Sequence, residues 1–151
     1  RFGSVAPAEV WKRRAMRRLE RAQHTHWLMG RGRSLAVMPT AYHVYVIELA
    51  RKVFTEDRKF REANPQYNGV LECLYVGQTS KTPQERLAQH KSGYRNAKGQ
   101  KLSSNIVEKY GRYLRPSLYQ HIGPLSRAEA LEVERGLALE LRRKGYAVWT
   151  N

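Results

Sequence analysis

Tyr45, Tyr75, Arg86, His90 and Glu134 have the types and spacings from which a reaction centre can be assembled. Arg86 and His90 stand four residues apart within "TPQERLAQH", so a helix there puts a guanidinium and an imidazole on one face. Tyr45 lies in "YHVYVIEL" and Tyr75 in "VLECLYVG", two apolar, β-branched runs that read as strands. Two phenols brought together by paired strands can position or deprotonate a water, given a cation nearby to stabilise phenolate. Glu134 falls in the apolar row Ala130, Leu137, Leu141, where a carboxylate must be paired, metal-bound or protonated. One carboxylate is a poor general metal cage. It suffices for Mg²⁺, which keeps several waters and is commonly held by one or two carboxylates plus substrate phosphate.

Taken one at a time, each has a plainer reading. Tyrosine is a favoured strand residue, Arg86 and His90 suit the surface of an amphipathic helix, and Glu134 suits a rim or a buried arginine. The sequence has no Cys/His zinc spacing, no Walker loop, no Gly-x-Gly-x-x-Gly and no Asp-x-Asp pair. No serine or cysteine nucleophile with an adjacent base is suggested either.

The elements that must position these residues are well marked. Thr82, Pro83 and Glu85 form a capping box with proline at the first helical position, which predicts a helix over Pro83–Lys91 stopped by Gly93. Strands are predicted at Tyr42–Leu49 and Val70–Gly77, pairing antiparallel. Between them, Ala50–Gly69 reads as a charged insertion, a loop with a short helix, because Asn64-Pro65 and Asn68-Gly69 are turn signals. A basic loop, Tyr94–Ser104, leads to an Asn105-x-x-Glu108 capping box and a short helix closing near Gly111. "RYLRPSLYQHI" reads as a strand with Pro116 at an edge or bulge. Ser126-x-x-Glu129 caps a long helix from Arg127 to about Lys144, stopped by Gly145, and "YAVWTN" is a closing strand. Glu129, Glu132 and Glu140 fall off the apolar row and are predicted to face solvent. The fold class is α+β, a small domain with a central antiparallel sheet flanked by helices.

Residues 1–41 have a different texture. Nine Lys+Arg against Glu9 and Glu20 precede Thr40, and Ala8 to about Met29 reads as a basic amphipathic helix carrying Arg13, Arg14, Arg17, Arg18 and Arg21. The whole chain of 151 residues has 28 Lys+Arg against 13 Asp+Glu, a net charge of +15. That balance points to a polyanion, nucleic acid before acidic membrane. The apolar fraction of 41% supports a real core, and no apolar run is long enough to span a bilayer. With Cys73 as the lone cysteine there is no disulfide framework, so a reducing, cytoplasmic location is expected.

The order of these signals resembles the GIY-YIG nuclease superfamily, which includes restriction and homing endonucleases and an excision-repair incision subunit. The similarity covers roughly Tyr42 to Asn151. His43-Val44-Tyr45 occupies the first triplet and Tyr75-Val76-Gly77 the second; Arg86, His90, Glu134 and Asn151 match the helix arginine, the histidine one turn later, the metal-binding glutamate and the closing asparagine. The departures are His43 for glycine, Val76 for isoleucine, and a gap between the tyrosines longer than in compact members, as in restriction-type ones.

The resemblance implies a nuclease domain at residues 42–151, with the charged stretch at about 50–69 as an insertion, and leaves residues 1–41 as the basic helical extension read from their charge and periodicity. It implies hydrolysis of DNA phosphodiester bonds with one divalent metal, Mg²⁺ or Mn²⁺, on Glu134. Arg86 would meet charge on the phosphorus, Tyr45 would be the base or hold the water, and Tyr75 and His90 would orient that network. Gly77 and Asn151 would support them. The basic helix and the loop cations Lys91, Arg95, Lys98 and Lys101 would grip the nucleic acid, most simply double-stranded DNA. Two readings remain beside it: a noncatalytic basic nucleic-acid-binding protein on the same fold, and an RNA- or single-strand-directed nuclease. One active site cuts one strand, so a monomer making successive nicks and a homodimer both stay open.

Overall fold

The computed structural model describes Arg13, Arg17 and residues 39–151. Arg13 and Arg17 have helical backbone, and Arg17 Nε donates to the Arg13 carbonyl at 3.4 Å. The rest of the basic helix expected over residues 8–29, with Arg14, Arg18 and Arg21, lies outside the described residues.

The elements run β1 (His43–Leu49), α1 (Val53–Glu56), α2 (Arg58–Ala63), β2 (Cys73–Thr79), α3 (Pro83–Lys91), α4 (Asn105–Tyr110), β3 (Gly111–Leu114), a 3₁₀ turn (Pro116–Leu118), α5 (Arg127–Lys144) and β4 (Ala147–Trp149). This is a small α+β domain, as the pattern predicts. Its sheet is mixed rather than antiparallel. The strand order is β3-β1-β2-β4, with β1 antiparallel to β2 and β3, and β4 parallel to β2. The long helix α5 is the reason: it carries the chain back along the sheet, so β4 enters in the same direction as β2.

Every residue of β1 from Val44 to Leu49 is buried, which fits a central strand covered on both faces. α5 packs on β1 and β2, while α3 and α4 pack on β1 and β3. The core joins Val46, Ile47, Leu74 and Val76 of the sheet to Ala130, Val133, Leu137 and Leu141 of α5. Two of the three predicted capping boxes form: Thr82 with Glu85 at the head of α3, and Ser126 with Glu129 at the head of α5. Gly145 ends α5 with φ +107, a left-handed conformation that glycine adopts without strain.

Several local expectations change. Ser104, not Asn105, sits at the cap position of α4, and no side chain caps it. The Ser104 N–H goes to His90 instead, Glu108 turns away to Lys101, and Asn105 Oδ1 accepts from Lys101 Nζ at 2.6 Å. The strand expected over "RYLRPSLYQHI" stops at Leu114, because Pro116 opens a 3₁₀ turn. Glu140 is mostly covered and pairs with Lys144 at 3.1 Å, rather than facing solvent.

The charged insertion is structural. It folds into α1 and α2, and Asn64, fully buried at the end of α2, closes the sheet edge. Its Oδ1 accepts from Val148 N at 2.7 Å and its Nδ2 donates to Val148 O at 3.1 Å, the two bonds another strand would make to β4. Among the described residues no helix is long and apolar enough to cross a membrane.

Candidate active site

The register of β1 and β2 sets Tyr45 opposite Gly77 and Ile47 opposite Tyr75. Opposed residues share a face, and so do residues two apart along a strand. Tyr45 and Tyr75 therefore stand on one face along a diagonal, with ring centroids 6.1 Å apart. Gly77 makes this possible. A Cβ there would come within 2.6 Å of the Tyr45 hydroxyl and 2.9 Å of the Tyr75 ring.

α3 packs on β1 and brings His90, fully buried, against both phenols. His90 Nε2 lies 2.9 Å from the Tyr45 hydroxyl, and its ring centroid is 5.4 Å from that of Tyr75. The backbone N–H of Ser104 points at His90 Nδ1 at 2.9 Å. A backbone N–H can only donate, so Nδ1 is the acceptor and the neutral ring carries its proton on Nε2. His90 thus donates to Tyr45. Burial and the Arg86 charge hold the imidazole's pKa down at about 4, so it stays neutral. It is a hydrogen-bond donor to Tyr45, not a base.

Arg86, one turn earlier, is held by Gln89 Oε1 at 3.2 Å and the Leu102 carbonyl at 2.6 Å. Among the described residues no carboxylate forms an ion pair with it. Asn151 donates from Nδ2 to the Tyr75 hydroxyl at 2.8 Å. Burial raises the Tyr45 phenol to about 12, while Arg86 and the Tyr75 hydroxyl pull it back. Burial, then the charge of Tyr45, push Tyr75 further up.

Glu134 projects from α5 with 7% exposure, and its charge reaches both phenols. Burial raises its pKa to about 7, partly offset by Arg135. Among the described residues nothing hydrogen-bonds its carboxylate. Glu48 is the contrast. It is equally buried within β1, yet Arg115 meets it at 2.8 Å and adds Glu72 at 3.5 Å. Two carboxylates are buried to the same degree, and among the described residues the one beside the tyrosines forms no ion pair.

That vacancy in pairing suits a hard divalent ion. The described residues contain no cluster of three or more His, Cys, Asp or Glu, so a zinc cage is not formed by them. One nearly buried carboxylate suits Mg²⁺ or Mn²⁺, whose remaining positions go to water and phosphate oxygens.

The candidate catalytic and supporting residues read from the sequence come together: Tyr45, Tyr75, Gly77, Arg86, His90 and Asn151 around the two phenols, with the charge of Glu134 reaching both. The loop cations divide. Lys101 is occupied by Glu108 and Asn105, and Arg95 braces its own loop through the Gly99 carbonyl at 2.9 Å. Lys91 and Lys98 are exposed, with Lys91 Nζ donating to the Arg112 carbonyl at 2.6 Å. Sequence reasoning missed Ser104, the Leu102 carbonyl and Gln89, which fix His90 and Arg86. Two of these contacts are made by backbone atoms, which leave no residue-type signal.

Comparison of the chain with family models, with curated proteins and with solved structures finds no match.

Proposed function

We propose that this protein is a divalent-metal-dependent endonuclease of the GIY-YIG type, hydrolysing phosphodiester bonds in DNA. The observation that carries the reading is the direction of the hydrogen bonds at Tyr45. The Ser104 N–H fixes His90 as a donor to the Tyr45 oxygen, and the Arg86 guanidinium and Tyr75 hydroxyl act on that same oxygen. Three groups that favour phenolate therefore converge on one buried phenol.

In this reading Tyr45 acts as its phenolate, its own proton having passed to solvent beforehand. It takes a proton from water as the water oxygen bonds to phosphorus and the bond to the leaving 3′ oxygen breaks, the leaving oxygen being protonated from solvent. Arg86 meets charge building on the phosphoryl oxygens, for which its planar fork is better shaped than lysine. His90 and Tyr75 stabilise negative charge on Tyr45, and Asn151 keeps Tyr75 turned toward it. Glu134, with the scissile phosphate, would hold Mg²⁺ or Mn²⁺, which supplies Lewis-acid charge at the phosphate and leaving oxygen when bound. The net charge of +15 supplies sequence-independent attraction to the backbone.

Labelled single- and double-stranded DNA and RNA oligonucleotides, incubated with Mg²⁺, Mn²⁺ or EDTA, test this. Metal-dependent cutting of DNA supports the proposal. Cutting of RNA or of single strands alone redirects it to that substrate. Tight binding without cutting under any metal leaves a noncatalytic nucleic-acid-binding domain.

A further inference from the structure

A cleft of about 600 Å³ opens beside the tyrosine cluster, between the α1–α2 junction, the head of α4 and the end of β4. It shares two walls with the site. Asn151, which donates to Tyr75, lines it, and so does Ser104, whose N–H fixes His90. Trp149 forms a third wall and stands in register with Tyr75 across the β2–β4 ladder. The Trp149 ring is braced from the core by Phe60, with centroids 6.4 Å apart and planes 28° from parallel.

The charge of this lining differs from that of the chain. Glu56 and Asp57 offset Arg58 and Lys59, so the walls carry no net charge in a protein of +15. Both acids have other duties: Asp57 caps α2 through the Phe60 N–H at 2.8 Å, and Glu56 faces Lys109 at 3.9 Å. A charge-balanced cleft does not select a phosphate. Its indole and its polar groups suit something neutral, planar and able to hydrogen-bond. Asn105 Oδ1 is taken by Lys101, which leaves its amide N–H groups to donate. Ser103 lines the cleft, and its hydroxyl oxygen, tucked behind that surface, has no hydrogen-bond partner among the described residues, so a turn about χ1 is what brings it to a ligand. An unmet buried hydroxyl is costly unless a ligand completes it.

We propose that this cleft receives one unstacked nucleobase of the substrate strand, next to the scissile phosphate, seated on Trp149 and hydrogen-bonded by Asn105 and Ser103. The proposal rests on the nuclease reading for its geometry, but base capture needs no catalysis and is measured without it. Seating a base there anchors the strand while its neighbouring phosphate lies over Tyr45 and Arg86. It also favours strands whose base is already free of the stack, since unstacking costs energy.

The test uses the full chain with Trp11→Phe and Trp27→Phe, so that Trp149 alone reports, in EDTA. The ligands are a short single-stranded DNA oligomer and the same oligomer made abasic at each position in turn. Quenching of Trp149 emission by the intact oligomer is expected, with one abasic position losing the quenching and roughly 5- to 100-fold in affinity. Asn105→Ala and Ser103→Ala, both remote from the Phe60 contact, should weaken the intact oligomer and leave the abasic one unchanged. Trp149→Phe should keep most of the affinity. Unchanged Trp149 emission at saturation, or equal affinity for every abasic oligomer, overturns the cleft proposal. Cleavage in Mg²⁺, measured separately, then tells the two apart. Cutting without quenching sinks the base cleft alone, and quenching without cutting sustains the cleft while the nuclease reading fails.

Discussion

Tyr45 lies directly across the β1–β2 ladder from Gly77, and its hydroxyl occupies space that a Cβ at position 77 would need, 2.6 Å away. The glycine in Tyr75-Val76-Gly77 is therefore a slot for the phenol of the partner strand. Gly77→Ala must displace Tyr45, Tyr75 or the strand itself. A loss of about 1–3 kcal/mol in stability is expected from overpacking. The Tyr45–His90 hydrogen bond should be disturbed as well. Urea unfolding of the variant reads the first, and its residual cleavage rate reads the second.

The two tyrosines are not equivalent. Tyr45 receives the His90 donor and the Arg86 charge, whereas Tyr75 is held higher by burial and by Tyr45 itself. Tyr45→Phe should cost about 10²–10⁴ in rate, the range for a positioned general base. Tyr75→Phe should cost less. Equal residual rates for the two variants, measured at saturating DNA, would remove the basis for naming Tyr45 as the base.

Glu134 should show opposite effects on activity and stability. Its carboxylate is nearly buried without a hydrogen bond among the described residues, and burial raises its pKa to about 7. Glu134→Gln removes a buried charge with no ion pair among the described residues, so a thermal midpoint a few degrees higher is expected, on the order of 1 kcal/mol. Metal-dependent cleavage should be lost. A lower midpoint would show that this carboxylate has a structural partner.

His90 gives the fold a definite acid response. Its folded pKa of about 4 lies below the unfolded value of 6.5, so the unfolded chain takes up a proton that the folded one refuses. Its stabilising contribution is complete above pH 6.5 and is lost as pH falls toward 4. The slope from this one group is at most ~1.4 kcal/mol per pH unit. The geometry agrees, since a proton on Nδ1 would face the Ser104 N–H, and Arg86 stands nearby. Denaturant midpoints between pH 7 and 4 should fall less steeply for His90→Gln than for the unmutated chain.

Local signals in the sequence proved the legible ones. Thr82 with Glu85, Ser126 with Glu129, and Gly145 mark helix ends through contacts within a few residues, and each forms as read. The apolar row of α5 correctly buried Glu134, because helical periodicity alone assigns that face. What stayed hidden depends on partners far apart in the chain. The parallel pairing of β4 follows from how α5 returns along the sheet. Asn64 reaches Val148 across 84 positions, and Arg115 reaches Glu48 across 67. The misread cap at Asn105 has the same origin. His90 claims the Ser104 N–H from fourteen residues upstream, and no pattern around position 105 reveals it.

The most direct test is the fate of supercoiled plasmid DNA incubated with the protein in Mg²⁺, in EDTA, and with Glu134→Ala in Mg²⁺. Nicked or linear product in Mg²⁺ alone, absent with EDTA and absent with Glu134→Ala, is the predicted result. Plasmid that is bound and shifted yet stays supercoiled in Mg²⁺ and in Mn²⁺ would contradict the account.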